Sequence, residues 1–285
     1  MQNKIILLLS CAIVVLAAVV CTRTAADVED VNWQVMGTLA KVQTRGDCDG
    51  KWTSGFAAET MGVFKNVEAL LNAHSPTSEI SRLAHLPQDE VLGSCAAEMR
   101  PCYVAAFALS EASGGAFNPR WRGVGTLDFG AIAKGFAVDL AVTECAKKEA
   151  KVALLVDLGG NLKSAKGTWR VGVKDPNGEG YAATVEMREG EAMATSATYY
   201  RGSHIYDGRT GAAVSNGVAS VTVLASSAMW ADGLSTVLFV LGPDEGRLFL
   251  DAKLAALGCG DVAVLWILGD RSAVVRDVAC RFNLR

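Results

Sequence analysis

Two spacings of apolar residues divide most of this chain. Between residues 56 and 74 the side chains of Met61, Phe64, Val67, Leu70 and Leu71 recur every three or four positions, the spacing of one helical face. Residues 101–111 and 132–148 are predicted as further helices, with Pro101 tolerated in the first turn of the earlier one. Extended segments are predicted over 31–45, 151–157, 169–174, 182–188 and 218–224. A helix over 228–240 follows with Ser226 or Ser227 as its cap, then a shorter helix over 245–257, and strands over 261–267 and 273–278. Strands cluster instead of alternating one for one with helices, so the order predicts an α+β fold and not a doubly wound parallel sheet. No GxGxxG follows an early strand, which leaves a Rossmann site unsupported.

The first residues carry a different pattern. Lys4 precedes an apolar run from Ile5 to Val20, and small residues follow at Thr24, Ala25 and Ala26, the features of an export signal over 1–26. A short uncleaved anchor and lipid attachment at Cys21 are the alternatives to cleavage, although Ala18-Val19-Val20 is a poor lead-in for lipidation. Residues 31–285 contain no charge block or evident linker and read as one domain or two intimate lobes. Lys and Arg number 27 against 30 for Asp and Glu, which argues against binding to a nucleic acid backbone. Any polyphosphate must then be held locally, by loops and a metal. Of eight cysteines, Cys11 and Cys21 lie in the signal and Cys48, Cys95, Cys102, Cys145, Cys259 and Cys280 remain, with Cys95 and Cys102 the favoured local disulfide. There is no CxxC pair, and His74, His85 and His204 are the only histidines, so zinc is not expected.

Four segments carry candidate chemistry. Leu127 to Gly135 is a Gly- and Ala-rich turn that opens a helix, where small residues let backbone amides approach phosphate and Lys134 adds a charge; a packed helix start with an exposed lysine has the same pattern. Val156 to Asn161 runs an apolar strand into Gly159-Gly160, which suits either a ligand approach or an ordinary tight turn. Thr195 to Gly211 concentrates hydroxyls with His204, Asp207 and Arg209, so His204 and Asp207 could orient or deprotonate a hydroxyl; an isolated histidine is more often structural. Asp232 and Thr236 lie four apart on a predicted helix, about 6 Å from one another, and could offer two hard oxygens to one cation, although an Asp near a helix start is commonly solvent-facing.

Taken together these segments resemble the ApbE flavin transferases. Met36-Gly37-Thr38 resembles that family's MGT, Ser78 to Leu83 its SEISRL, and Leu127 to Gly135 its LDxGxIAKG, with Asp139 continuing the pattern. Asp157 to Gly160 is similar to its DLGG, Lys174-Asp175-Pro176 to its DP turn, Thr195-Ser196 and His204 to Gly211 to TSGxY and HIIDPRTG, and Ala231 to Thr236 to ADALST. The resemblance runs in order from Met36 to about Gly242. Departures are Ala84 for an Asn after SRL, Asn118 and Arg120 within the usual FDPT, Ala197-Thr198 for Gly-Asp, and Gly208 for Pro.

The resemblance implies two closely packed lobes with FAD between them as substrate, and Mg²⁺ bridging its diphosphate. It implies Asp232, Thr236 and a backbone oxygen near Ala131 as metal ligands. It implies FAD contacts from Met36, Gly37, Ser78, Glu79, Asp128, Lys134, Asp157, Gly159, Gly160, Thr195, Ser196 and His204, with His204 and Asp207 the candidates for handling a proton. The reaction implied is attack by a Thr or Ser hydroxyl of an acceptor, a membrane or exported redox protein, on the FMN-side phosphorus with AMP leaving. The alternatives are a Mg²⁺-dependent FAD pyrophosphatase and a non-catalytic FAD-binding protein. The expected location is periplasmic or on the outer face of the inner membrane.

Overall fold

The computed structural model describes residues 28–47, 49–149, 151–198, 205–277 and 279–284. The expected export signal over 1–26, Cys48 and His204 lie outside the described residues. In chain order the elements are β1 (Val28–Val35), β2 (Thr38–Arg45), α1 (Lys51–Leu71), α2 (Glu79–Leu83), α3 (Gln88–Ser94), α4 (Arg100–Ala112), α5 (Ala133–Ala146), β3 (Ala153–Leu158), β4 (Asn161–Lys166), β5 (Trp169–Lys174), β6 (Tyr181–Met187), β7 (Ala192–Ala197), β8 (Val218–Ala225), α6 (Ala228–Leu257), β9 (Ala263–Leu268), β10 (Ala273–Arg276) and β11 (Phe282–Leu284). This is an α+β fold, as the clustered strand signals predict.

Eight strands form one sheet in the order β1-β2-β3-β4-β7-β8-β9-β10, and β11-β6-β5 form a second. Period-two alternation explains why the large sheet is buried on both faces. Leu154 and Val156 of β3, Ala192 and Ala194 of β7, and Val264 and Trp266 of β9 pack in the core that includes the helices. Their neighbours Leu155, Met193 and Leu265 pack instead with Trp169, Val185 and Met187 of the small sheet. The two packed units therefore share one sheet, giving three layers.

Several differences from the sequence reading have local causes. The extended segment over 31–45 is a hairpin, because Met36 and Gly37 take φ of 51° and 66° and reverse the chain. Polar or small strands β4 (NLKSAK) and β7 (AMATSA) lack the alternation that would reveal them and are held in place by pairing with β3 and β8. Helices α2 and α3, at 5 and 7 residues, are too short to show a period. The predicted break after 240 is real: Gly242 adopts φ 72° ahead of Pro243, which bends α6 into two helical pieces. The expected Cys95–Cys102 disulfide is absent; both are buried free thiols, Cys102 packed as a small apolar side chain within α4 and Cys95 donating to the Leu92 carbonyl at 3.6 Å.

Helices α5 and α6 meet at their starts and cap one another. Asp139 of α5 accepts from the backbone N–H of Ala228 (3.0 Å) and Met229 (2.9 Å) and from the Ser227 hydroxyl (2.7 Å). Ser227 is itself the N-cap, accepting from Trp230 N–H at 3.3 Å. Asp232 of α6 in turn accepts from Gly135 N–H, in the first turn of α5, at 3.0 Å. Each carboxylate thus satisfies donors that the other helix cannot bond internally. Lys163 of β4 completes the junction with a 2.6 Å ion pair to Asp139. Replacing Asp139 with Ala removes the cap and strands the Lys163 charge, so unfolding stability should fall by about 2–4 kcal/mol. Urea unfolding measures this, and a loss under about 0.5 kcal/mol, the range of an ordinary surface substitution, would show that the junction tolerates separation.

Candidate functional site

The site begins with a close approach that only glycine permits. A Cβ at Gly135 would overlap the Ala228 carbonyl and lie 2.8 Å from the Asp232 Cβ, so the two helices touch backbone to backbone. Gly233, on the next position of α6, likewise has no room for a Cβ beside Leu109. This packing sinks Asp232 to 5% exposure while leaving its carboxylate facing Lys134. The Lys134 ammonium donates to the Gly130 carbonyl at 2.8 Å and lies 3.4 and 3.5 Å from the two Asp232 oxygens.

One turn further along α6, Thr236 and Ser235 face β7. The Ser196 hydroxyl lies 2.8 Å from that of Ser235 and 3.3 Å from that of Thr236, and Ser235 donates to the Asp232 carbonyl at 2.8 Å. Strand alternation sends Thr195 to the opposite face of β7, where its hydroxyl pairs with that of Thr222 at 2.9 Å. Ser196 therefore joins the Asp232 cluster and Thr195 does not. The cluster sits on the helical side of the large sheet, not between the two hydrophobic cores.

A second group of expected residues gathers where β2 starts and β3 ends. Gly159 lies against Thr38, where a Cβ would come within 2.5 Å of the threonine hydroxyl oxygen, and Gly159 N–H donates to Leu39 O at 2.9 Å. The Met36–Thr38 turn and the Asp157–Gly160 turn are thus one structure; Met36 N–H donates to Glu68 at 2.9 Å and Asp157 accepts from Gly160 N–H at 2.8 Å. Burial pushes the Asp157 carboxyl above its usual range, against the opposing pull of Gly160 N–H and Lys41. By strand order and direction, this paired turn and the Ser196 end of β7 lie at the same end of the sheet.

Ser78 and Glu79 are turned into the fold. Ser78 caps α2 by accepting from Ser81 N–H at 3.3 Å, and Glu79, 6% exposed, accepts from Ala96 N–H at 2.8 Å. Both side chains position the short helices. Asp207 is similarly engaged: Arg209 grips both carboxylate oxygens at 2.7–3.1 Å and holds the acid below its usual range. A carboxylate so depressed is a weak base near neutral pH, so its geometry suits a turn anchor better than a proton acceptor.

The loop before α5 adds Trp121 and Arg122, which no motif marks, to the expected Asp128. Asp128 accepts from Gly130 N–H at 2.9 Å and from Trp121 Nε1 at 3.3 Å, with Arg122 also 3.3 Å away. The Trp121 ring stacks on Tyr206 at 4.5 Å with planes 13° apart, and the Arg122 guanidinium lies 4.8 Å from the centre of the Trp121 ring. This stack ties the turn at 205–211 to the loop carrying Asp128. The adjacent Trp121-Arg122 pair beside Gly123 was a visible cue, but its partner lies about 85 residues away and no spacing rule links them.

The donor set fits a hard cation in part. Asp232, Thr236 and the Gly130 carbonyl offer oxygen, and the ammonium already drawn between Asp232 and Gly130 shows that the position favours positive charge. Among the described residues there is no group of three or more His, Cys, Asp or Glu that could hold a metal alone. A divalent ion here would need further oxygens from a ligand, as Mg²⁺ shared with phosphate does.

The site thus combines a buried carboxylate, a hydroxyl cluster and a lysine at a helix start, with paired glycine turns at the same end of the sheet. The ApbE family model matches residues 120–258. A Vibrio cholerae protein named FAD:protein FMN transferase is 34% identical over 142 residues, 45% of this chain and 42% of its own length. A Treponema pallidum protein of the same name is 37% identical over 147 residues, 44% of this chain and 40% of its own. The aligned stretch thus spans less than half the length of these curated relatives. The solved flavin transferase ApbE from Vibrio cholerae superposes with a TM-score of 0.71 at 21% identity, covering 88% of this chain and 97% of that one. The apo flavinyl transferase ApbE from Pseudomonas stutzeri does so at 0.68 and 25% identity, covering 88% and 94%. The family match covers just under half of this chain, and the likeness to the solved structures extends over most of it.

Gly135→Ala should force α5 and α6 apart, lowering stability by about 1–3 kcal/mol. Gly62→Ala is the control, since a Cβ there meets nothing within 4 Å and Ala favours the helix. Thermal unfolding of the two variants decides the point; a Gly135→Ala protein as stable as wild type would show that the close approach is not required.

Proposed function

We propose that this chain is a Mg²⁺-dependent flavin transferase that moves the FMN half of FAD onto a Thr or Ser hydroxyl of an acceptor protein. The observation that carries the reading is the buried Asp232, held at a helix junction beside Thr236, Ser196 and Lys134 in a fold shared with ApbE flavin transferases. In the reaction the acceptor oxygen forms a bond to the FMN-side phosphorus, the bond from that phosphorus to the AMP oxygen breaks, and the hydroxyl proton passes to a base. Mg²⁺, held by Asp232, Thr236 and a backbone oxygen near Ala131, would supply charge neutralisation across the diphosphate.

The chain's own residues then divide the work. Lys134 offers a point charge and the first turn of α5 offers backbone donors to phosphate. The turns at Met36–Thr38 and Asp157–Gly160 give a close backbone surface for the remainder of FAD. Asp128 holds the loop that enters α5 and, through the Trp121–Tyr206 stack, fixes the turn that follows His204 in sequence. His204 is the proposed proton acceptor, with Asp207 anchoring that turn through Arg209.

The protein should be incubated with FAD, Mg²⁺ and an exported redox domain carrying a candidate Thr or Ser. The expected result is a fluorescent acceptor whose mass rises by one FMN residue. Asp232→Ala should abolish the label together with FAD binding, whereas His204→Ala should slow single-turnover transfer about 100-fold with FAD affinity little changed. Release of free FMN without labelled acceptor would select the pyrophosphatase; unchanged FAD would select the passive binder. Wild-type transfer by Asp232→Ala would remove the metal assignment.

Lys4, the apolar run from Ile5 to Val20 and the small residues at Thr24, Ala25 and Ala26 support export. We propose a periplasmic protein or one attached to the outer face of the inner membrane, acting on a membrane or exported redox acceptor. Intact-mass analysis of protein from its host should find residues 1–26 removed. A lipid adduct on Cys21 would select the anchored form, and a full-length cytoplasmic species would contradict export.

A further inference from the structure

Two lysines reach the α5–α6 junction, and they differ in a way that matters. Lys163 meets Asp139 at 2.6 Å, the length of a tight charge-assisted bond, in a pair only 16% and 21% exposed. Lys134 lies 3.4 and 3.5 Å from the oxygens of Asp232, well beyond that range, while its firmer bond is to a neutral carbonyl, Gly130 O at 2.8 Å. One ion pair is locked and the other is loose.

Asp232 cannot be left without compensation. It is 5% exposed, and its only other side-chain partner among the described residues is Gly135 N–H. A carboxylate this deep needs a nearby positive charge, and Lys134 supplies it. Yet the oxygens that Lys134 uses, two from a carboxylate and one from a backbone carbonyl, are the hard donors a divalent cation takes. An ammonium and a divalent ion cannot share them without strong repulsion. The lysine chain is long and flexible, and Nζ can swing away without disturbing the first turn of α5.

We infer that Lys134 is a resident counter-ion: it stabilises Asp232 in the ligand-free protein, excludes divalent cation from that position, and is released when a nucleotide diphosphate gives its ammonium another partner. The inference rests on the proposed metal role of Asp232 and adds an order to it. Cation binding is weak until the diphosphate arrives, so metal and FAD enter as a coupled pair. The loose distance to Asp232 is what makes the exchange possible; a contact like that of Lys163 would resist it.

The test uses Mn²⁺ alone, titrated into chelator-treated full-length mature protein without nucleotide and followed by the electron paramagnetic resonance signal of the free ion. Lys134→Met should bind Mn²⁺ at least ~10-fold more tightly than wild type, because the competing charge is gone. The same variant should melt lower than wild type in chelator and gain more from added Mn²⁺, since Asp232 then depends on the metal for compensation. Lys134→Gln, which can still donate to Gly130 O, gives the same comparison if the Met variant folds poorly. Equal or weaker Mn²⁺ affinity in the folded Lys134 variant overturns the inference. Asp232→Asn separates the two ideas: loss of Mn²⁺ binding is expected, and wild-type affinity in that variant would instead overturn the metal role of Asp232 itself.

Discussion

The reciprocal capping of α5 and α6 is the constraint on which the site depends. Asp139 bonds the first turn of α6 and Asp232 bonds the first turn of α5, and Gly135 allows the approach that brings both carboxylates into reach. The two helix starts, each with unpaired N–H groups, are thereby turned toward carboxylates of the neighbouring helix. A consequence is that Asp232 has a structural and a chemical face: one oxygen holds Gly135 N–H while the carboxylate also meets Lys134. Positioning by a bonded backbone donor fixes the side chain more firmly than packing alone.

The departures from the family pattern fall into contacting pairs. Arg120 donates to the Ala84 carbonyl and also reaches Leu86 O at 2.7 Å and Thr126 O at 3.3 Å, so it pins the turn after α2 to the loop before α5. Asn118 donates to Gly208 O at 3.1 Å, and Gly208 lies so close to Asn118 and the Gly115 carbonyl that a Cβ would not fit. Four changed positions are therefore two local solutions, each closing a gap between the 115–127 segment and a neighbouring turn. The Ala197-Thr198 change stands apart from these pairs, at the end of β7, where Thr198 N–H donates to Ala219 O at 3.4 Å.

What was legible in the sequence follows from where the physical signal is local. The long helices, the break before Pro243 and the Ser227 cap follow from apolar period and capping chemistry within a few residues. Asp232 and Thr236 were visible as an i, i+4 pair on that helix. Strands β4 and β7 were not, because their small and polar residues are buried by register with neighbours far along the chain. Ser78 and Glu79 show the converse: their place in a motif was readable, but their side chains cap and tie the fold inward. The Trp121–Tyr206 stack and the grip of Arg209 on Asp207 required three dimensions, and the latter changes Asp207 from a candidate base into an anchor.

The central claim is that Asp232 marks the point where a divalent cation meets a diphosphate, in a place Lys134 otherwise fills. Crystals of the mature protein grown with FAD and Mn²⁺ test it through the anomalous signal of the metal. The account predicts a peak within bonding distance of the Asp232 carboxylate and the Thr236 hydroxyl, with the Lys134 ammonium moved off Asp232 onto a phosphate oxygen. A manganese peak elsewhere, or bound FAD with Lys134 still resting on Asp232 and no metal beside it, would contradict it.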